Sequence, residues 1–138
     1  MNNQEIDRQI AEKVFGMKAY TQKRGEYTHV TWHEKGKEPW IGSRGDKSEN
    51  YSVILSADID PMKHVEHGPK EYSTNIAHAF EVRDKIMQIS PPDRLRFIAE
   101  LTQIIRIRLR KQIPGSLIML HVNALDISLA ALRAIKER

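Results

Sequence analysis

The sequence predicts an α+β fold, an α-β-α sandwich in which a small, mostly antiparallel sheet carries helices on both faces. Three observations lead there. Four stretches repeat their apolar residues at helical spacing, two shorter ones alternate with period two, and a run near the C-terminus is almost wholly apolar. A chain of 138 residues has the length of one domain with its own core, so residues 1–138 are expected to form a single domain.

From Asn3 to Met17, Ile6, Ile10, Val14 and Met17 recur at spacings of four, four and three, while Glu5, Asp7, Arg8, Glu12 and Lys13 take the other face. Asn2 or Asn3 caps this first helix and Gly16 lies near its end. Lys18 to Glu71 is the least regular stretch. Within it, Tyr27–His33 and Tyr51–Ala57 alternate as strands do. Gly36, Pro39, Gly42 and Gly45 lie between them, so a hairpin with a long loop is the simplest arrangement.

A second helix is expected from Ser73 or Thr74 to about Ile89, with Ile76, Phe80 and Met87 in one stripe that Ala79, Ile86 and Ile89 widen. The third helix has the clearest start: Ser90 as cap, Pro91 at the first position, where a missing N–H is harmless, and Asp93 near the positive end of the dipole. Leu95, Ile98, Leu101 or Thr102, Ile105 and Leu109 are expected on its buried face, with Pro114-Gly115 ending it. A rival reading treats Ile105–Arg110 as a strand paired with Leu117–Val122, because the segment also alternates with period two. Leu117–Val122 itself reads as a strand buried on both faces. In the last helix Asn123 is the cap, Asp126 reaches back to it, and Ile127, Ala130, Ala131, Ala134 and Ile135 form the packed side.

Hydrophobic and charged contents of 40% and 29% place the chain among ordinary folding domains. With no cysteine, disulfides, thiolate zinc sites and thiol nucleophiles are all excluded. The first residues lack a basic region followed by an apolar run, and no apolar stretch is long enough for a bilayer. The expected setting is therefore a reducing cytoplasm, without membrane contact. The net charge of +4 is uneven: residues 1–89 carry 13 basic against 14 acidic groups, and residues 90–138 carry 9 against 4.

Three segments invite a comparison: Ala11-Glu12-Lys13-Val14-Phe15-Gly16-Met17, Tyr72-Ser73-Thr74-Asn75-Ile76-Ala77-His78-Ala79-Phe80-Glu81-Val82, and Asp126-Ile127-Ser128-Leu129-Ala130-Ala131-Leu132. Together they resemble the phage ABA sandwich domain family, small proteins of phages and prophages of Gram-positive bacteria. Met17 and Phe80 stand where that family often has Trp, and Ser128 where it often has Cys. These exchanges suit a core. The 54 residues from Lys18 to Glu71 fall outside the resemblance. It implies an α-β-α architecture and a phage or prophage origin; it implies no activity, and no functional residue is carried over.

Six basic residues and one acid, Glu100, lie between Arg94 and Lys111, so Arg106, Arg108, Arg110 and Lys111 are candidates for contact with nucleic acid. On a helix Arg108 points away from Arg106 and Arg110; on a strand all three share a face. Asp58, Asp60, His64 and His67 offer metal-ligand chemistry in an irregular stretch, at spacings that specify no site. Gly42-Ser43-Arg44-Gly45 lacks the Lys-Ser/Thr ending of a phosphate loop, and no nucleophile stands with a base at a recognisable spacing. No catalytic, metal or cofactor site is assigned.

Tyr27, Trp32, Trp40 and Tyr51 gather around the expected hairpin as candidate contacts for a protein partner. The function read from the sequence is a non-enzymatic phage or prophage accessory protein acting through a protein partner or self-association. Its alternatives are a nucleic-acid-binding protein using residues 94–111 and a small metal-dependent enzyme.

Overall fold

The computed structural model describes residues 1–39, 51–110, 112, 114, 117 and 120–135. The protein is α+β, as the two periodicities predict. In chain order its elements are α1 (Asn3–Lys13), β1 (Lys18–Arg24), β2 (Tyr27–His33), β3 (Ser52–Ile54), β4 (His64–His67), α2 (Ile76–Met87), α3 (Pro91–Leu109) and α4 (Ala124–Ile135), with a 3-10 turn at Ser56–Asp58 between β3 and β4. They fall into two compact units: Phe15–Pro69, which holds the strands, and Met1–Val14 with Lys70–Arg138, which holds the helices.

In the strand unit the order is β3-β1-β2-β4, antiparallel except for the parallel β2–β4 pair. The sheet is therefore mixed and mostly antiparallel. Its hairpin is not the one expected. Tyr27–His33 pairs with Lys18–Arg24, and β1 separates it from β3. The hairpin loop is Gly25-Glu26, with Arg24 opposite Tyr27 and φ +63° at Gly25, where a glycine meets no steric penalty. Pleating sends Ala19, Val30, Trp32 and Ile54 to one face, where with Ile59 they form an apolar cluster. Thr31, His29, His33 and His67 occupy the other.

In the helical unit α4 is the element on which α1, α2 and α3 all pack. Nine of its twelve residues are buried, including Ala124, Ala130, Ala131 and Ala134, whose small side chains permit close approach. Ile6, Ile10 and Ala11 from α1, Val82 and Ile86 from α2, and Phe97, Leu101, Ile104 and Ile105 from α3 complete the core. The caps are local and sequence-encoded. Ser90 Oγ accepts the Asp93 N–H, and Asn123 and Asp126 accept from each other's backbone N–H. Helix α2 starts later than expected, because Asn75 rather than Ser73 or Thr74 is its cap.

The described residues of Leu117–Val122 do not form the expected strand. Among its described residues Leu117, Leu120 and His121 lie in 3-10 turns and Val122 is irregular. Helix α3 continues through Leu109, so Ile105–Arg110 offers that run no extended partner. The helix ends at Arg110, which is left-handed at φ 56°, several residues before Pro114. Leu95 and Ile98 are also relocated: they are exposed, and Phe97, Leu101, Ile104 and Ile105 carry the buried face.

A buried polar link joins α1 to the segment before α2. Asp7 Oδ1 accepts the Ser73 N–H at 2.8 Å, and Ser128 Oγ of α4 donates to the Tyr72 carbonyl at 2.9 Å. Burial raises the Asp7 carboxyl above the ordinary aspartate range, against the lowering effect of the hydrogen bonds from Ser73. The native state then holds this proton more tightly than the unfolded chain. Asp7 therefore lowers stability as pH rises from the ordinary aspartate range through its own raised value. Asp7→Asn, which retains the acceptor oxygen without the charge, is expected to match or exceed the parent in urea unfolding at neutral pH, with the advantage shrinking at low pH. Asp7→Ala strands the Ser73 N–H and is expected to cost about 1–3 kcal/mol. In the hairpin, Gly25→Ala is expected to cost about 1 kcal/mol or more in the same assay, because alanine resists the left-handed conformation.

Candidate functional site

Helix α3 turns two different surfaces outward from its own axis. One is the buried stripe that meets α4 and α2. The other runs along Leu95, Ile98, Ala99, Thr102, Arg106 and Arg110, at spacings of three or four residues apart from the neighbours Ile98 and Ala99. Leu95 is 69% exposed, Ile98 49% and Ile107 65%. The N-terminal half of this surface is thus apolar and the C-terminal half basic.

The three arginines near the end of α3 have separate roles. Arg108 faces α4: its Nε lies 3.2 Å from both carboxylate oxygens of Asp126, and its Nη2 lies 2.9 Å from Oδ2 and also donates to the His121 carbonyl. Asp126 is buried and also accepts the Asn123 N–H, so a single carboxylate caps α4 and ties it to α3. A looser ion pair, Arg133 to Glu100 at 3.7 Å, joins the same two helices. Arg106 and Arg110 instead line a groove of about 670 Å³ together with Ala99, Thr102, Gln103, Ile107 and Gln112. Of the four sequence candidates for nucleic acid, then, two share a groove and Arg108 is committed to Asp126. Lys111 lies outside the described residues.

Of the candidate partner contacts, Tyr27 and Trp32 do not share a surface. Tyr27 is 61% exposed at the start of β2, whereas Trp32 packs on the apolar cluster of the opposite sheet face. The Trp32 indole N–H is buried without a hydrogen-bond partner among the described residues. Tyr51 is half-buried just before β3, and Trp40 lies outside the described residues.

In the Asp58–His67 stretch, His64 and Asp60 serve the local backbone. His64 Nδ1 accepts the Asp60 N–H at 2.9 Å, and Asp60 Oδ1 accepts the Met62 N–H. Across β2 and β4, His29 Nδ1 and His67 Nε2 are 2.7 Å apart, with nearly parallel rings and centroids 4.9 Å apart. The centroid distance exceeds the N···N distance by about two ring radii, so the rings lie edge to edge and share one proton rather than stack. One imidazole must be neutral to accept it. Among the described residues no group of three histidine or acidic side chains converges on a common point.

Sequence periodicity did not single out the exposed stripe of α3, because it assigned Leu95 and Ile98 to the core. The available signal was that α3 has more apolar positions than a single buried stripe can use, with Leu95 and Ile98 on one side and Phe97, Leu101 and Ile104 on the other. No protein-family model, curated protein or solved structure matches this chain.

Removing the Arg108 fork leaves a buried carboxylate with one backbone donor. Arg108→Ala is therefore expected to lower unfolding free energy by about 1–3 kcal/mol in chemical denaturation. Asp126→Ala, which also removes the acceptor of the Asn123 N–H while leaving the Asn123 cap itself, is expected to lower it further.

Proposed function

We propose that this chain is a non-enzymatic accessory protein of phage or prophage type that works through contact with another protein or a second copy of itself, using the outward surface of α3. The observation that carries this reading is the exposure of Leu95 and Ile98 one turn apart on a helix whose other side already fills the core. Exposed apolar groups aligned on a rigid helix are the usual material of a protein interface. The likeness of the Tyr72–Val82 and Asp126–Leu132 segments to phage ABA sandwich proteins supports the origin. Nucleic-acid binding is the second reading. Arg106 and Arg110 on one groove favour it, while the commitment of Arg108 to Asp126 leaves fewer cations for a row of phosphates.

The test is chemical crosslinking in bacterial cells producing the chain, followed by mass spectrometry, with light scattering on the purified protein to detect self-association. Leu95→Glu combined with Ile98→Glu is expected to preserve the circular dichroism spectrum and unfolding midpoint, since both side chains face outward. The same variant is expected to remove the crosslinked species or the oligomer. A parent and variant with identical crosslinks and identical mass would rule out this surface.

A further inference from the structure

We infer that His29 and His67 form a two-histidine site for a divalent transition-metal ion, on the sheet face opposite the apolar cluster, with water or a small ligand in the remaining coordination positions. The site lies wholly within the strand unit and is independent of the reading of α3 as the contact helix.

Sheet register brings the two rings together. β2 and β4 are parallel, with His29 opposite Val65 and Thr31 opposite His67, so both histidines leave the same side of adjacent strands. Their facing nitrogens, Nδ1 of His29 and Nε2 of His67, are 2.7 Å apart, and the ring planes are within 3° of each other. Two imidazole nitrogens bound to one ion at about 2.0–2.1 Å stand roughly 2.9–3.4 Å apart, for angles between square-planar and tetrahedral. The folded pair is a few tenths of an ångström short of that span. Binding requires the rings to turn until both lone pairs point at one spot. His67 is exposed on an edge strand, so its ring can turn and withdraw. His29 is half-buried on β2, which has a strand on either side, and holds its place.

The exchange of proton for metal balances. In a neutral pair one facing nitrogen carries the shared proton and the other a lone pair. Ion binding moves that proton to the outer nitrogen of the same ring, which leaves two lone pairs for the metal and releases no proton. A singly charged pair releases one proton to solvent.

The surroundings limit the protein ligands to two. His33 shares this face, but its Nε2 is 2.8 Å from Thr31 Oγ1 and its Nδ1 3.0 Å from the Lys37 carbonyl oxygen, so both its nitrogens are engaged. Glu66 is paired with Val30 and points to the other face. Among the described residues no third histidine or acid completes the set. Two nitrogen ligands without a carboxylate favour copper, nickel and zinc over magnesium and calcium, which take oxygen. Copper(II) is expected to bind most tightly of the three.

The test is calorimetric titration of the untagged full-length chain with copper(II), nickel(II) and zinc(II) salts, with electron paramagnetic resonance of the copper form. One copper ion per chain at the strongest site is expected, with two imidazole nitrogens in its hyperfine pattern. His29→Ala and His67→Ala are each expected to weaken copper binding at least about tenfold, the loss of one of two protein ligands, whereas His121→Ala in the helical unit is expected to bind as the parent does. His67→Ala removes an exposed side chain and is expected to keep the circular dichroism spectrum, so its lost binding reports the ligand and not the fold. Copper is also expected to raise the unfolding midpoint of the parent and to leave that of His67→Ala unchanged. No saturable copper binding, a single nitrogen on the parent's copper, or equal binding by the parent and both single variants would each overturn the proposal, the last marking adventitious binding at scattered histidines.

Discussion

Three helices of the helical unit find their apolar partner in the same element, and the alanines of α4 set how near they can come. Ala124, Ala130, Ala131 and Ala134 present little more than backbone, so α1, α2 and α3 all reach it closely. Ile127 and Ile135 then fill the space between them. A larger residue at any of those alanines would push at least one neighbour away, and overpacking of this kind typically costs about 1–3 kcal/mol. The bidentate Arg108–Asp126 pair adds direction to this non-directional packing. It fixes one carboxylate against one guanidinium and so holds the register of α3 along α4. That register is what keeps Arg106 and Arg110 on the opposite, open side.

The features legible in the sequence were those decided within a few residues. Ser90-Pro91 with Asp93, and Asn123 with Asp126, are caps whose donors and acceptors are three positions apart, and both form as read. The buried side of α4 was equally clear, because its apolar residues lie on one side at helical spacing. The two missed strands fail for the opposite reason. β1 is Lys-Ala-Tyr-Thr-Gln-Lys-Arg and β4 is His-Val-Glu-His, neither with a run of alternating apolar residues, and both are held by pairing with β2. The turn that makes β1 a partner, Gly25-Glu26, is a two-residue signal hidden among charged residues.

Two other misplacements share a physical cause. Periodicity shows that a helix has an apolar side; it does not show how many neighbours the helix has. Leu95 and Ile98 satisfy the spacing of a core stripe as well as Phe97 and Leu101 do, and only packing against α4 decides between them. Similarly, Leu117–Val122 is apolar enough for a strand, but a strand exists only beside another strand. Among the described residues, all four that form come from residues 18–67.

The chain order of the helical unit bears on how the molecule is made. Helix α1 leaves the ribosome first, yet α4, the surface it packs against, is encoded more than a hundred residues later. Until translation reaches that point, Ile6, Ile10 and Val14 have no native cover, while the strand unit between them and α4 can already pair its own strands. Closing so long a loop adds only slowly growing entropy. Docking of the first helix is thus a late event, and nascent chains halted before Ala124 would display an uncovered aliphatic ridge to chaperones.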